Sequence, residues 1–125
     1  MRIRIKRIYE SPESGDGQRI LVDRLWPRGI SRQQAAVDVW LKSVAPSDEL
    51  RRWFRHQPEK WERFQARYIE ELQSNPEALK ELDGYLGRGR VTLLYAARET
   101  RYNNAVVLKQ FLETGGVNQT AGIRK

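Results

Sequence analysis

The chain has 125 residues, a net charge of +7 and a sequence pI near 10.0. It contains no cysteine and a single histidine, which excludes disulfides, thiolate metal sites and a cysteine nucleophile and leaves little for a serine–histidine triad. We expect no metal site and no cofactor. Arginine supplies 17 of the 23 basic residues, and the guanidinium group binds carboxylate or phosphate through two parallel hydrogen bonds. The charge therefore favours anionic partners: nucleic acid, nucleotides or phosphorylated metabolites.

The length predicts one domain with a single core. No apolar run approaches the roughly 20 residues of a membrane span, and the first residues lack the apolar segment of a signal peptide. We therefore expect a cytoplasmic protein without a membrane partner. The domain is predicted over residues 1–116, and residues 117–125, which show no periodicity, are predicted to form a flexible tail.

The first half of the chain predicts two strands followed by four helices. Residues 2–9 alternate between apolar and basic side chains, which is typical of a half-exposed strand at a sheet edge. Residues 11–17, rich in glycine and acids, predict a loop, and residues 19–25 a second strand. The helices are predicted to begin near Ser31, Ser47, Pro58 and Asn75, residue types that are favoured at helix starts. The first of them is predicted to continue through Leu41.

The second half predicts one buried strand and a last helix. Residues 91–97 form a continuous apolar run, typical of a parallel strand that is buried on both faces. Asn103 or Asn104 is predicted to cap the helix that follows. The element order predicts a small α/β protein with a mainly parallel sheet and a helical insertion between the second and the last strand. We expect those two strands to be adjacent and parallel.

Charged and polar side chains follow both of these strands. Desolvating an unpaired charge costs several kcal/mol, so charges at a strand end either satisfy one another or await a ligand. Ligands of open α/β sheets bind beyond the carboxyl ends of the strands. The sequence therefore predicts an anion site there, with Asp23 as the catalytic acid or base and with the anion-binding residues Arg24, Arg28, Arg98, Asn103 and Asn104.

Structural alternatives stand beside this prediction. Asp23 could pair with Arg24 or Arg98 and simply tie the strand ends together. Asp38 and Lys42 have the i,i+4 spacing of a surface ion pair on a helix. Two further features are expected to be structural rather than functional: the solvated group Arg51, Arg52 and Arg55, and the helix-end histidine His56.

The chain resembles the YeaO-like branch of the domain-of-unknown-function 488 family from Ile3 to about Leu112. The most specific segment is the string Leu21-Val22-Asp23-Arg24-Leu25-Trp26-Pro27-Arg28-Gly29, and others are Trp40-Leu41-Lys42, Ala45-Pro46-Ser47 and the run from Val91 to Ala97. Other branches of the wider family look as if they carry a Cys-His-Arg triplet after the last strand. This chain has Tyr102-Asn103-Asn104 there, so the resemblance implies no thiol or imidazole chemistry.

Three functions compete. The first is a site for a small anionic ligand carrying phosphate or carboxylate, such as a nucleotide. The second is a basic nucleic-acid-binding module, and weak nonspecific binding to nucleic acid is expected in any case. The third is a partner-binding homodimer without catalysis. The residues that would serve the second function are Arg2, Arg4, Lys6, Arg51, Arg52 and Arg55.

Overall fold

The computed structural model describes residues 3–115. Within that range the strands are β1 (Ile3–Arg7), β2 (Gln18–Leu21), β3 (Val39–Trp40) and β4 (Val91–Tyr95). They form one sheet in the order β1-β4-β2-β3, and every neighbouring pair is parallel. All five residues of β4 are buried, because this strand has a neighbour on each side and packing on both faces. The predicted α/β class and the parallel pairing of β2 with β4 are confirmed.

The helices are α1 (Arg32–Ala35), α2 (Asp48–Phe54), α3 (Trp61–Gln73), α4 (Pro76–Leu86) and α5 (Asn104–Glu113). Short 3-10 turns occupy Ser14–Asp16, Lys42–Val44 and Pro58–Lys60. The caps follow the sequence signals, because the side chains of Ser31, Ser47, Asn75 and Asn103 each accept a hydrogen bond from a backbone N–H in the first helical turn. Helices α1 to α4 lie between β2 and β4 in the chain, which is the predicted insertion.

The prediction of a helix from Ser31 through Leu41 is wrong. Helix α1 ends after one turn, where Ala36 takes a left-handed φ of 50°. Asp38 then pairs with β2: its N–H donates to the Arg19 carbonyl, and its carboxylate accepts from the Arg19 N–H at 2.8 Å. The chain thereby becomes the edge strand β3, which the β-branched and aromatic residues of this segment favour. The Asp38–Lys42 ion pair depended on the helix and is also wrong.

Two apolar clusters cover the two faces of the sheet. Ile20 and Leu93 belong to the larger cluster, which includes Phe64 and Tyr68 from α3. The next residues along β2 and β4 belong to the smaller cluster, which includes Ala35 from α1. Successive residues of a strand point to opposite faces, so helices α2 to α5 pack on one face and the segment around α1 packs on the other.

A buried ion cluster, formed by Lys6, Asp16 and Arg19, lies before β2. Lys6 Nζ donates to Asp16 Oδ1 at 3.1 Å, and Arg19 Nη1 donates to Asp16 Oδ2. Burial alone raises the pKa of Asp16, but hydrogen bonds from the Glu13 N–H, Lys6 and Arg19 outweigh it, so the pKa is lowered from 3.8. Lys6 is 7% exposed and therefore does not lie on the solvent side of β1, where the sequence predicted it.

Some predictions lie at or beyond the ends of the described range. The domain boundary at residue 116 and the tail at residues 117–125 lie outside the described residues. Within residues 3–115, no helix combines the length and the apolar character that crossing a bilayer requires.

Candidate functional site

A cleft of about 840 Å³ opens beyond the carboxyl ends of β2 and β4. The sequence-predicted site residues all line it: Asp23, Arg24, Arg28, Arg98, Asn103 and Asn104. They meet because β2 and β4 are parallel neighbours, so the segments that follow them emerge at the same edge of the sheet. The contacts of each residue indicate which of them could bind a ligand.

Asp23 and Asn104 join the two strand ends at the base of the cleft. Asp23 Oδ1 accepts from Asn104 Nδ2 at 3.1 Å, and Asp23 Oδ2 accepts from the Ala96 N–H at 2.9 Å. The same Asn104 Nδ2 donates to the Val22 carbonyl at 3.0 Å. Asp23 therefore connects the end of β2 to the end of β4 and to the first turn of α5.

The charge of Asp23 is not balanced by an adjacent cation. No basic side chain among residues 3–115 lies within ion-pair distance of it, so the predicted alternative of a pair with Arg24 or Arg98 is wrong. Burial raises the pKa of Asp23 above 3.8. Its hydrogen bonds and the more distant charges of His56 and Arg51 act in the opposite direction but are weaker. A carboxyl group with a raised pKa in a cleft is typical of functional sites and also occurs in structural ones.

The three predicted anion-binding arginines differ in what they contact. Arg24 donates from Nε to the Pro46 carbonyl at 3.1 Å and from Nη2 to the Ala45 carbonyl at 3.3 Å, so part of its guanidinium holds the chain before α2. The side chains of Arg28 and Arg98 are exposed and make neither a hydrogen bond nor an ion pair with any described residue. Of the three, Arg28 and Arg98 are therefore the ones whose guanidinium groups are available to a ligand.

Asn103 serves the backbone of the cleft. It is buried, caps α5 by accepting from the Val106 N–H at 3.1 Å, and donates from Nδ2 to the Glu99 carbonyl at 2.9 Å. These bonds fix the turn between β4 and α5, so Asn103 shapes the cleft wall that carries Arg98. Both the amide nitrogen and the amide oxygen of Asn103 therefore have a backbone partner, unlike the guanidinium groups of Arg28 and Arg98.

A second group of basic residues, at the end of α2, was missed as part of this site. Arg51, Arg52, Arg55 and His56 line the cleft, although the sequence suggested a solvated face and a helix-end histidine. Arg55 and His56 have φ values of 49° and 57°, a left-handed conformation that usually selects glycine or asparagine and costs other residues about 1–3 kcal/mol. No glycine or asparagine follows α2, so the sequence did not mark this left-handed turn.

The cleft as a whole carries a surplus of positive charge. Six arginines and two carboxylates line it: Arg24, Arg28, Arg51, Arg52, Arg55 and Arg98, against Asp23 and Glu99. Arg51 pairs with Asp48 at 3.1 Å. In the described part of the chain, no group of three or more histidine, aspartate or glutamate side chains could hold a metal ion.

Fold and site together define a small parallel α/β protein with a cationic cleft beyond its strands. Over residues 2–123 the chain matches the family model DUF488-N3i, described as the inactive DUF488-N3 subclade, and it belongs to the DUF488 family. It is 48% identical over 111 residues to the uncharacterized protein Rv3073c of Mycobacterium tuberculosis strain H37Rv, covering 89% of this chain and 93% of the relative. It is 41% identical over 114 residues to the uncharacterized protein YeaO of Escherichia coli strain K12, covering 91% and 99% respectively. The resemblance to the YeaO-like branch is confirmed, and no solved structure matches the chain.

Proposed function

We propose that the cleft binds a small anionic metabolite that carries phosphate or carboxylate. One observation carries this proposal: the side chains of Arg28, Arg52, Arg55 and Arg98 face one cleft without a hydrogen bond or ion pair to any residue in the range 3–115. Arginines gathered around one cleft repel each other, and an anion that binds among them relieves this repulsion while forming charge-assisted hydrogen bonds. None of these four arginines has a carboxylate of the described range within ion-pair distance that could balance its charge instead.

The backbone around Arg28 supports an anion-reading role for this residue. Pro27 restricts its own φ, and Gly29 adopts a φ of 76°, which allows the chain to turn immediately after Arg28. Tyr9 Oη donates to the Arg28 carbonyl at 2.7 Å. A guanidinium whose backbone is held in this way loses less conformational freedom when it binds a ligand.

The proposal is one of binding rather than turnover. The family model describes its subclade as inactive, and both oxygens of Asp23 accept hydrogen bonds that join the strand ends. The acid or base role of Asp23 stays a prediction. The cytoplasmic location and the homodimer also stay predictions.

The structure offers the nucleic-acid alternative less support than the sequence did. Lys6 belongs to the buried ion cluster, and Arg4 Nη1 donates to the Gly15 carbonyl at 3.0 Å. Arg2 lies outside the described residues. Arg51 pairs with Asp48, and the exposed Arg52 and Arg55, whose side chains have no partner in the described range, line the cleft and serve the first function equally well.

Thermal melts with and without inorganic pyrophosphate or citrate test the proposal. We expect either anion to raise the Tm of the wild-type protein by mass action, and to raise the Tm of Arg28→Ala and Arg98→Ala much less. Arg63→Ala is the matched control, because Arg63 is an exposed arginine of α3 that does not line the cleft. An equal rise in all four proteins, or no rise in the wild type, would contradict the proposal.

A further inference from the structure

The cleft combines its cations with exposed apolar surface. Tyr9 and Leu25 are the large hydrophobic residues that stay exposed between residues 3 and 115, at 40% and 57%. Both line the cleft. Exposed apolar surface that gathers at a single concave site marks ligand binding more often than chance exposure does. The ligand that fits therefore has an apolar part as well as an anionic one.

Aromatic rings make up much of the apolar lining. The rings that line the cleft are those of Tyr9, Trp26, Phe54, His56 and Phe64. Two contacts hold the Tyr9 ring: its hydroxyl donates to the Arg28 carbonyl, and the Arg7 guanidinium lies over the ring, 4.9 Å from its centroid. A rigid ring beside an unpaired arginine favours a flat, polarisable partner, because planar groups stack on aromatic and guanidinium faces alike.

The two groups of arginines come from separate elements. Arg28 and Arg98 follow β2 and β4, whereas Arg52 and Arg55 come from α2 and the residue after it. A chain of phosphates can offer anionic oxygens to both groups at once. A cleft of about 840 Å³ also lies in the range of about 300–1,000 Å³ that is typical of pockets for ligands much larger than phosphate.

We propose that the ligand is a free nucleoside di- or triphosphate. Its base lies against the apolar wall that includes Tyr9 and Leu25, and its phosphates contact Arg28, Arg98 and the arginines at the end of α2. This inference rests on the anion-binding function proposed above and names the ligand class of the same cleft. The flat base explains the exposed ring and the exposed Leu25, which an inorganic anion would leave in water.

Isothermal titration of pyrophosphate, ADP and hexyl phosphate into the wild-type protein tests the inference. We expect ADP to bind about ten-fold more tightly than pyrophosphate, the gain that one stacked base gives, and more tightly than hexyl phosphate. Leu25→Gln should weaken ADP binding by about five-fold or more and leave pyrophosphate binding within two-fold, as ~0.4 kcal/mol or less. Tyr9→Leu and Tyr9→Phe both lack the hydroxyl bond to Arg28, and only Tyr9→Phe keeps the ring. Tyr9→Leu should therefore bind ADP at least about five-fold more weakly than Tyr9→Phe, whereas the two should bind pyrophosphate within about two-fold of each other.

The outcomes separate this inference from the function on which it rests. Equal affinity for pyrophosphate and ADP, or hexyl phosphate binding as tightly as ADP, overturns the nucleotide assignment and leaves the anion site standing. Absence of binding by all three overturns both. A short single-stranded oligonucleotide that binds more tightly than ADP near 0.15 M salt overturns the assignment to a free nucleotide. Circular dichroism melts of each variant verify that it is folded before titration.

Discussion

Two aspartates flank strand β2, and their surroundings differ. Asp16, before the strand, is fully buried and contacts both Lys6 and Arg19. Asp23, after the strand, has N–H donors on both oxygens and no cation within ion-pair distance among the described residues. The pKa of Asp16 is lowered, whereas the pKa of Asp23 is raised.

The difference shows which positive charges are balanced inside the protein and which are not. Before β2, the buried cations Lys6 and Arg19 both contact Asp16, so these charges have opposite charges beside them within the protein. Beyond β2, the arginines gather around a cleft in which Arg28 and Arg98 have no internal partner in the described range. A buried pair that loses one member is strongly destabilised, whereas an exposed, unpaired cation can be removed at little cost. The two regions should therefore respond differently to mutation, pH and anions.

The largest effect is expected at the buried ion cluster. Asp16→Asn removes the carboxylate between Lys6 and Arg19, which leaves the buried Arg19 without a counterion among the described residues and Lys6 with Glu13 alone. We therefore expect a loss of about 3–5 kcal/mol in the free energy of unfolding. Urea denaturation measures it. Glu13→Gln is the control, because Glu13 pairs with Lys6 at the surface and its loss should cost about 1 kcal/mol or less. A similar small loss for both variants would show that the cluster does not depend on Asp16.

The pH dependence of stability should have opposite signs at the two aspartates. The lowered pKa of Asp16 contributes stability above its ordinary value of 3.8 that is lost as the pH falls through the folded-state pKa. The raised pKa of Asp23 contributes stability below 3.8 that is lost as the pH rises through its folded-state pKa. With rising pH, the wild type should gain stability relative to Asp16→Asn and lose stability relative to Asp23→Asn. Urea denaturation at a series of pH values checks this, and the same sign for both pairs would contradict it.

A smaller effect is expected when an arginine of the cleft is removed. Arg28→Ala deletes an exposed side chain without a described partner, so the free energy of unfolding should change by no more than about 0.5 kcal/mol, and relief of repulsion favours an increase. Chemical denaturation in buffer without multivalent anions makes the measurement. A loss of a few kcal/mol, comparable to that of Asp16→Asn, would mean that Arg28 has a structural partner after all.

The weakest effect concerns nucleic acid. A net charge of +7 should give weak binding to duplex or single-stranded DNA at low salt, through counterion release. Fluorescence anisotropy should show this binding largely lost near 0.15 M salt. Tight, sequence-selective binding at that ionic strength would favour the nucleic-acid module over the metabolite site.

Much of the fold and part of the site followed from the sequence. The apolar run of β4 and the polar residues that follow β2 and β4 correctly predicted parallel neighbours and one shared edge, because strand burial and the position of strand ends are local signals. Strand β3 was missed, since its pairing with β2 through Asp38 is a tertiary contact that overrides a helical spacing. The arginines of α2 were assigned to solvent because only the packing of α2 beside the strand ends brings them to the cleft.

The location of anion binding tests the central claim most directly. Pyrophosphate titrated into 15N-labelled protein should shift the backbone amide signals of the segments that carry the lining residues, 23–28, 51–56, 96–99 and 103–104. The exposed arginines of α3, Arg63 and Arg67, lie outside the cleft, and their amide signals should stay in place. Shifts spread over all the basic surfaces, or centred on α3, would contradict the claim that the unpaired arginines beyond β2 and β4 form the anion site.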